Sequence, residues 1–411
     1  MVKQIVIIGA GHGGVQAATS LREEGFDGAI RLVSEEADLP YHKPPLSKTF
    51  IKDEAAQPQP LRGEVFYTGH DIGLDLGRAV SGVDPAARRV HFEDDAALDY
   101  DALILATGAR PRLLPETKGL DNVLALRTLA DARVIRGAAA NAQEVVVIGA
   151  GFIGLEIAAT LSAGGRQVTV IEALVRPLGR AVAKPIADHV TGRLIDSGVR
   201  ILTETRIDGF DTTGGRVAAV RLASGETLPT QLVIVGIGVV PNAELAEAAG
   251  LACSNGVRVN AAMRTSADGV FALGDCANYR HWMTGQDLRL ESVQNATDQA
   301  KTAAHAILGR YAEYAAVPWF WSDIGDMKLQ MVGLVGRQDR HVVVGAPEDN
   351  RFSVFHFAAD RLIAIESVNR PADHMLGRKI LATGFSPSPE ALAANPDGLK
   401  SAFAEWQQRQ T

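Results

Sequence analysis

Two sets of three glycines carry the first chemical signal in this 411-residue chain. Gly9, Gly11 and Gly14 follow the apolar run 5–8, and Gly149, Gly151 and Gly154 follow the run 145–148. Each set has an acid downstream, Glu35 at 21 residues beyond Gly14 and Glu172 at 18 beyond Gly154. A strand, a tight glycine turn and a helix in succession let a pyrophosphate approach the backbone at the positive end of the helix. The acid then sits where a carboxylate accepts hydrogen bonds from a ribose diol. One such motif also arises from strand-to-helix packing alone. Two complete copies, each with its acid, predict two dinucleotide sites in one chain.

The elements that must position these residues repeat as well. An apolar strand at 102–105 ends in Ala106-Thr107-Gly108, small residues placed where a strand closes against a bound cofactor. A matching strand at 232–235 ends in Gly236-Ile237-Gly238. Alternation at 78–83 and 88–92 predicts a hairpin between the first glycine motif and its closing strand. Beyond Pro241-Asn242 the chain delivers an acid, Asp275, and then an Ala-rich helix over 292–308, which reads as a return to the first domain. Strand-like stretches at 329–334, 341–344, 352–357 and 361–366 and a helix near 372–382 predict a last domain with an antiparallel sheet. The final ~20 residues are polar and are expected to fray. The fold class is α/β, with two Rossmann-like domains and a C-terminal α+β domain. Residues 1–112 and 244–320 make the first nucleotide-binding domain, 113–243 the second, and 321–411 the last.

Composition narrows the function. A net charge of −7 gives no general affinity for nucleic acid or an anionic membrane. No apolar run approaches the ~20 residues that span a bilayer, and the first strand begins too early for a leader, so a cytoplasmic location is expected. No cluster of metal-ligand residues stands out. The two cysteines, Cys253 and Cys276, form no C-x-x-C pair. Electron transfer through an internal dithiol is therefore not expected, and both thiols read as small buried hydrophobes.

The glycine motifs, together with Tyr41-His42-Lys43-Pro44-Pro45-Leu46-Ser47-Lys48, Ala106-Thr107-Gly108-Ala109-Arg110-Pro111, Glu156 and Gly274-Asp275-Cys276-Ala277, resemble the glutathione-reductase-type flavoproteins. Within them, Pro318-Trp319-Phe320-Trp321-Ser322-Asp323 and Val368-Asn369-Arg370-Pro371 resemble the NADH-dependent ferredoxin reductases that serve bacterial oxygenases. The resemblance covers almost the whole chain. It implies tightly bound FAD, with Gly13 and its neighbours at the pyrophosphate, Glu35 at the adenosine ribose and the backbone of Val80 at the adenine. It further implies Arg127 reaching the cofactor, Asp275 at the ribityl chain, the backbone of Val293 at the flavin pyrimidine, and Lys48 beside the reactive flavin nitrogen, paired with Glu156. Lys43 stands where relatives often carry arginine, so a bidentate contact is lost there.

The second motif is then the NADH site. Glu172 ends its strand where NADPH would place a 2′-phosphate, and the resulting repulsion favours NADH. Arg176 and Arg180 follow closely; the resemblance puts Arg180 near the NAD pyrophosphate, with Ile153 and Glu156 near the nicotinamide. Electrons would leave to an acidic two-iron, two-sulfur ferredoxin that feeds an oxygenase, a haem monooxygenase in particular. Trp321 is the candidate at the exit side, or else a packing tryptophan. Arg310, Lys328, Arg337 and Arg340 are docking candidates by charge and region. A monomer with a transient partner is expected. Two other readings share every cofactor motif: a reductase of another one-electron acceptor such as rubredoxin, and an NADH-binding flavoprotein of the apoptosis-inducing type.

Overall fold

The computed structural model describes residues 2–179, 181–311, 313–336 and 340–410. They fall into two compact units, the first of residues 1–42, 58–110 and 239–316 and the second of residues 43–57, 111–238 and 317–411. Residues 43–57, read from sequence with the first nucleotide-binding domain, thus belong to the second unit.

The first unit is built on a five-stranded parallel sheet in the order Val270–Ala272, Ala102–Leu105, Gln4–Ile8, Ala29–Ser34, Ile72–Leu76. Ile5, Val6 and Ile7 are all fully buried. Consecutive burial of this kind requires both faces of the sheet to be covered, which is why the strand shows no alternation. The helix His12–Glu23 follows the first strand, and the helix Val293–Ile307 packs along it. An antiparallel ribbon of Val80–Asp84, Arg89–Phe92 and Ala97–Asp99 precedes the closing strand.

The second unit repeats this plan. Its parallel sheet runs Arg200–Leu202, Gln167–Ile171, Glu144–Ile148, Leu232–Val235, Val123–Leu124. A ribbon of Ile207–Thr213, Arg216–Leu222 and Thr227–Pro229 again precedes the closing strand. The copies differ at the fifth strand, which comes from downstream in the first and from upstream in the second.

The same unit carries a five-stranded antiparallel sheet in the order Trp319–Ile324, Met327–Gly333, Arg361–Val368, Arg351–Ala358, Arg340–Ala346. Period-2 alternation splits its apolar residues. Leu329, Met331, Phe352 and Val354 join the core that includes Leu155 and Ile157, while Val332, Phe355, Phe357 and Ile365 pack with Ile380 and Leu381 of the helix Pro371–Thr383. The terminal segment does not fray. It forms a helix, Leu399–Gln408, because Leu399, Phe403 and Trp406 recur on one helical face. Phe403 is 4% exposed and sits among Phe385 and Trp406. Among the described residues, no helix is long and apolar enough to cross a membrane.

Both glycine motifs are held by contacts that exclude a side chain. Gly9 has φ +107°, and a Cβ there would come within 2.2 Å of the Ala106 carbonyl oxygen. A Cβ on Gly154 would meet the Gly149 carbonyl oxygen at 2.2 Å. Gly154→Ala should therefore push the helix off its strand and cost roughly 1–3 kcal/mol, read as a lower midpoint of thermal unfolding. His374 offers a second check. It is 2% exposed against the edge of the Trp319 ring, and burial with the Arg378 charge nearby pushes its pKa down to about 4. The unfolded chain takes a proton near pH 6.5 that the folded protein refuses until about pH 4. Stability should fall as pH drops through that window, and His374→Gln should flatten the fall in a pH series of thermal midpoints.

Candidate active site

In the first unit, the helix His12–Glu23 starts at Gly11 with no side-chain cap and no acid in its first turn. Its leading N–H groups point at the space over the glycine turn, and a Cβ on Gly11 would meet nothing within 4 Å. An open helix N-terminus of this kind has the polarity that a pyrophosphate needs. Gly13 is enclosed instead: a Cβ there would lie 2.5 Å from Leu273 Cδ1, close to Ala296. The returning segment thus packs over the first turn of this helix. Thr107 Oγ donates to the Asn242 carbonyl at 2.7 Å and Asn242 Nδ2 donates back to the Thr107 carbonyl at 2.9 Å, tying the Ala106-Thr107-Gly108 turn to residue 242.

Asp275 lies in a short turn, Gly274–Cys276, held from two sides. Arg289 Nη1 donates to its carbonyl at 3.0 Å, and the Gly274 N–H donates to Gln299 Oε1 at 2.7 Å. Gln299 is fully buried, yet its Nε2 has no hydrogen-bond partner in the structure. A buried donor in that condition is costly unless a ligand accepts from it. Val293 opens the helix Val293–Ile307, capped by Ser292 Oγ, which accepts from the Asn295 N–H at 3.0 Å. Val80 opens the antiparallel ribbon. These features fit a long dinucleotide with a polar chain.

The acid of this motif is displaced relative to its counterpart. Gly9 N donates to Val33 O, and Gly149 N to Ile171 O, both at 2.8 Å, which makes Ser34 the equivalent of Glu172. Glu35 lies one residue further on and is exposed. Its neighbour Glu36 is already taken, accepting from the Tyr41 hydroxyl.

The second unit concentrates charge around Glu156. This residue is 4% exposed on the helix Phe152–Ala163. Lys48 Nζ lies 2.9 Å from its Oε1, Ser322 Oγ donates to the same oxygen at 2.6 Å, and Ser47 Oγ donates to Oε2. Lys48 Nζ also donates to the Pro44 carbonyl at 3.1 Å, and Thr160 Oγ1 donates to the Ser47 carbonyl at 3.0 Å. A buried carboxylate with three donors is compensated rather than stranded. Lys48 keeps 20% of its side chain exposed, so its ammonium is fixed by Glu156 and still accessible. Nearby in sequence, Lys43 Nζ donates to the Arg127 carbonyl at 3.4 Å. Arg127 itself precedes the capping box of Thr128 and Asp131 that starts the helix Leu129–Ala140.

The second glycine motif is open where the first is enclosed. Gly151 starts its helix without a side-chain cap, Ile153 is 46% exposed, and a Cβ on Gly151 would meet only the Gly236 oxygen at 3.9 Å. Glu172 accepts from the Ala150 N–H at 2.9 Å and from the Leu174 N–H at 2.8 Å, so the acid also braces the glycine turn. Gly238 has φ +103°, and its carbonyl accepts from the Arg112 N–H at 2.8 Å. Arg176 is tied to its own segment: its guanidinium donates to the Val182 and Gly179 carbonyls, each at 3.1 Å. Arg180 and Arg337 lie outside the described residues.

Trp321 is not part of the Glu156 cluster. Alternation turns it to the opposite face of its strand from Ser322, where its ring lies 5.7 Å from that of Trp319. Of the other docking cations, Arg310 is ion-paired with Glu24, and Arg340 with Asp360 at 3.3 Å and Glu390 at 2.6 Å. Lys328 is exposed on a hairpin beside Asp323 and Asp326. Both cysteines are free; Cys276 is fully buried, and Cys253 is only partly so, short of the burial expected from sequence.

Sequence reasoning missed Ser47 and Ser322 as partners of Glu156. A signal existed for the second: a serine between Phe320 and Ile324 on the inward parity of a strand demands a buried polar partner. Arg289, Gln299 and Asn242 carried no local signal.

Known proteins extend these observations. Residues 3–300 match the pyridine nucleotide-disulphide oxidoreductase family, and residues 319–403 the reductase C-terminal domain. The chain is 44% identical to rhodocoxin reductase of Rhodococcus erythropolis, covering 97% of this chain and 94% of that one. A ferredoxin reductase for the CYP199A2 system of Rhodopseudomonas palustris superimposes with a TM-score of 0.94 at 42% identity, covering 97% and 99% of the two chains. The reductase in a covalent putidaredoxin reductase–putidaredoxin complex superimposes equally well, at 0.94 with 38% identity and 98% coverage of each. With its two glycine cradles and its antiparallel C-terminal sheet, the chain belongs to the pyridine nucleotide-disulphide oxidoreductase family.

Proposed function

We propose that this chain is an NADH-dependent, FAD-containing reductase that delivers electrons to a two-iron, two-sulfur ferredoxin serving an oxygenase. The observation that carries the reading is the Lys48–Glu156 pair, 2.9 Å apart and buried on the carboxylate side. Bound FAD supplies the conversion of one hydride from NADH into two single electrons. The protein's part is binding and electrostatics. Lys48 holds a positive charge where negative charge develops on reduction, and Glu156, fixed by Ser47 and Ser322, keeps the ammonium in place without reorganisation.

The first motif, enclosed by Leu273 and Ala296, suits a resident FAD, with Gly9, Gly11, Gly13 and Gly14 at the pyrophosphate, Glu35 at the ribose and Asp275 at the ribityl chain. Val80, the 106–108 turn, Lys43, Arg127 and Val293 complete that set. The second motif, with Ile153 exposed and Gly236, Ile237 and Gly238 at its far wall, suits a cofactor that comes and goes. Glu172 favours NADH over NADPH. Cys253 and Cys276 form no C-x-x-C pair and Cys276 is fully buried, which favours a route in which electrons leave the protein. The setting we propose is cytoplasmic, with the enzyme a monomer and the ferredoxin a transient, acidic partner. Trp321 remains the exit candidate, on the strand that also carries Ser322. Among the described docking candidates, Lys328 has no ion pair, whereas Arg310 and Arg340 are paired with carboxylates.

Three measurements test this. Lys48→Met should retain bound FAD, seen as its visible absorbance, while slowing stopped-flow reduction by NADH on the order of tenfold to a hundredfold; an unchanged rate would reduce the pair to a structural role. Glu172→Ala should raise KM for NADH about tenfold and narrow its preference over NADPH. Glu172→Gln, which keeps an acceptor for the Ala150 N–H, should move KM less. Finally, raising ionic strength should weaken turnover with a ferredoxin, followed by cytochrome c reduction, and leave NADH–ferricyanide turnover unchanged. Salt-insensitive ferredoxin turnover, or faster turnover with rubredoxin, would point to a different acceptor.

A further inference from the structure

Residues 172–179 and 181–183 lie between the strand Gln167–Ile171 and the helix Lys184–Asp196 and border the second glycine motif. They are tied to that motif at two points. Glu172 accepts from the Ala150 N–H, and the Leu178 N–H donates to the Ala150 carbonyl at 2.9 Å. Leu178 does so from φ +53°, a left-handed conformation that a branched side chain adopts only when its surroundings impose it. Something must hold the far end of the segment against that strain.

The holding group comes from the C-terminal sheet. Glu366 is 1% exposed, and its carboxylate accepts from the Ala183 N–H with Oε2 at 2.9 Å and Oε1 at 3.2 Å. Ala183 is the N-cap of the helix Lys184–Asp196, which has no side-chain cap and no acid in its first turn. Glu366 thus provides both the missing acceptor and the negative charge that a helix N-terminus favours. His356, fully buried on the neighbouring strand, places Nε2 3.0 Å from Glu366 Oε2. Toward an ionised carboxylate that nitrogen donates, which fixes the orientation of the acid. Two turns of the same sheet grip the helix further along, through His189 and Asn350 at 2.7 Å and the Arg193–Asp326 ion pair.

We propose that Glu366, braced by His356, is a positioning residue for NADH binding: it anchors residue 183, whose neighbours Ala181 and Val182 donate to the Leu178 carbonyl, so that Leu178 and Glu172 hold the Ala150 turn toward the cofactor. The proposal rests on the assignment of the second glycine motif to NADH. It gives the C-terminal sheet a part in nucleotide affinity, separate from any part in electron exit.

The test uses the FAD-loaded protein and three variants. Glu366→Ala should raise KM for NADH, and the calorimetric dissociation constant of NAD+, about tenfold, while kcat at saturating NADH with ferricyanide stays within about twofold. Glu366→Gln keeps an acceptor and the side-chain shape, so it should move both constants less and serves where the alanine variant fails to fold. A lower thermal midpoint with both constants unchanged would overturn the proposal, leaving Glu366 a structural residue. Glu172→Ala separates the two failures. If it raises KM while neither Glu366 variant does, the role of Glu366 is wrong; if none of the three moves KM, the placement of NADH is wrong and the proposal falls with it.

Discussion

A carboxylate withdrawn from water has to be compensated on both oxygens, and Glu156 is compensated by two stretches of chain that are far from it and from each other in sequence. Ser47 and Lys48 come from the loop after the first glycine motif, and Ser322 from the C-terminal sheet. Breaking such a buried set leaves a charge whose desolvation costs several kcal/mol, so these two stretches and the Glu156 helix are held to one another. This explains why residues 43–57 fall within the second unit although the chain on either side of them builds the first. It also explains how a lysine on a loop can be held still enough to act electrostatically: its counter-ion is anchored by serines.

The two glycine motifs show how one local solution diverges through its neighbours. Their turns, closing strands and ribbons follow the same order. Two residues beyond the last glycine, the second copy has Glu156, whereas the first has Gln16, whose amide bonds Ser20 on its own helix at 3.0 Å. At the preceding variable position the first copy has Gly13 under Leu273 and Ala296, and the second has an exposed Ile153. One motif is enclosed and electrically neutral at its helix; the other is open and carries the buried acid. A resident cofactor and an exchangeable one make those two demands.

Much of this was legible in the residues. The strand-turn-helix units announce themselves because parallel strands buried on both faces read as unbroken apolar runs and because only glycine fits where a Cβ would collide with a carbonyl oxygen. The C-terminal strands were legible from alternation. The terminal helix was not, since its large apolar residues are only three and they pack in an aromatic cluster with Phe385. Charge along the chain said nothing of the partners of Arg310 and Arg340: each is ion-paired with a carboxylate, and Glu24 lies 286 residues from Arg310.

By itself the sequence determined the number of dinucleotide folds, the order of their elements, the absence of an internal dithiol and the acids at the strand ends, because each is a matter of residue type and local spacing. Only the tertiary structure decided which groups complete Glu156, that Glu172 braces the Ala150 turn, and that Glu366 caps a helix it follows by 183 residues in the contact with Ala183. Those decisions are hydrogen bonds and ion pairs between distant segments. Their partners are chosen by burial and geometry once the sheets have formed, and no periodicity along the chain encodes them.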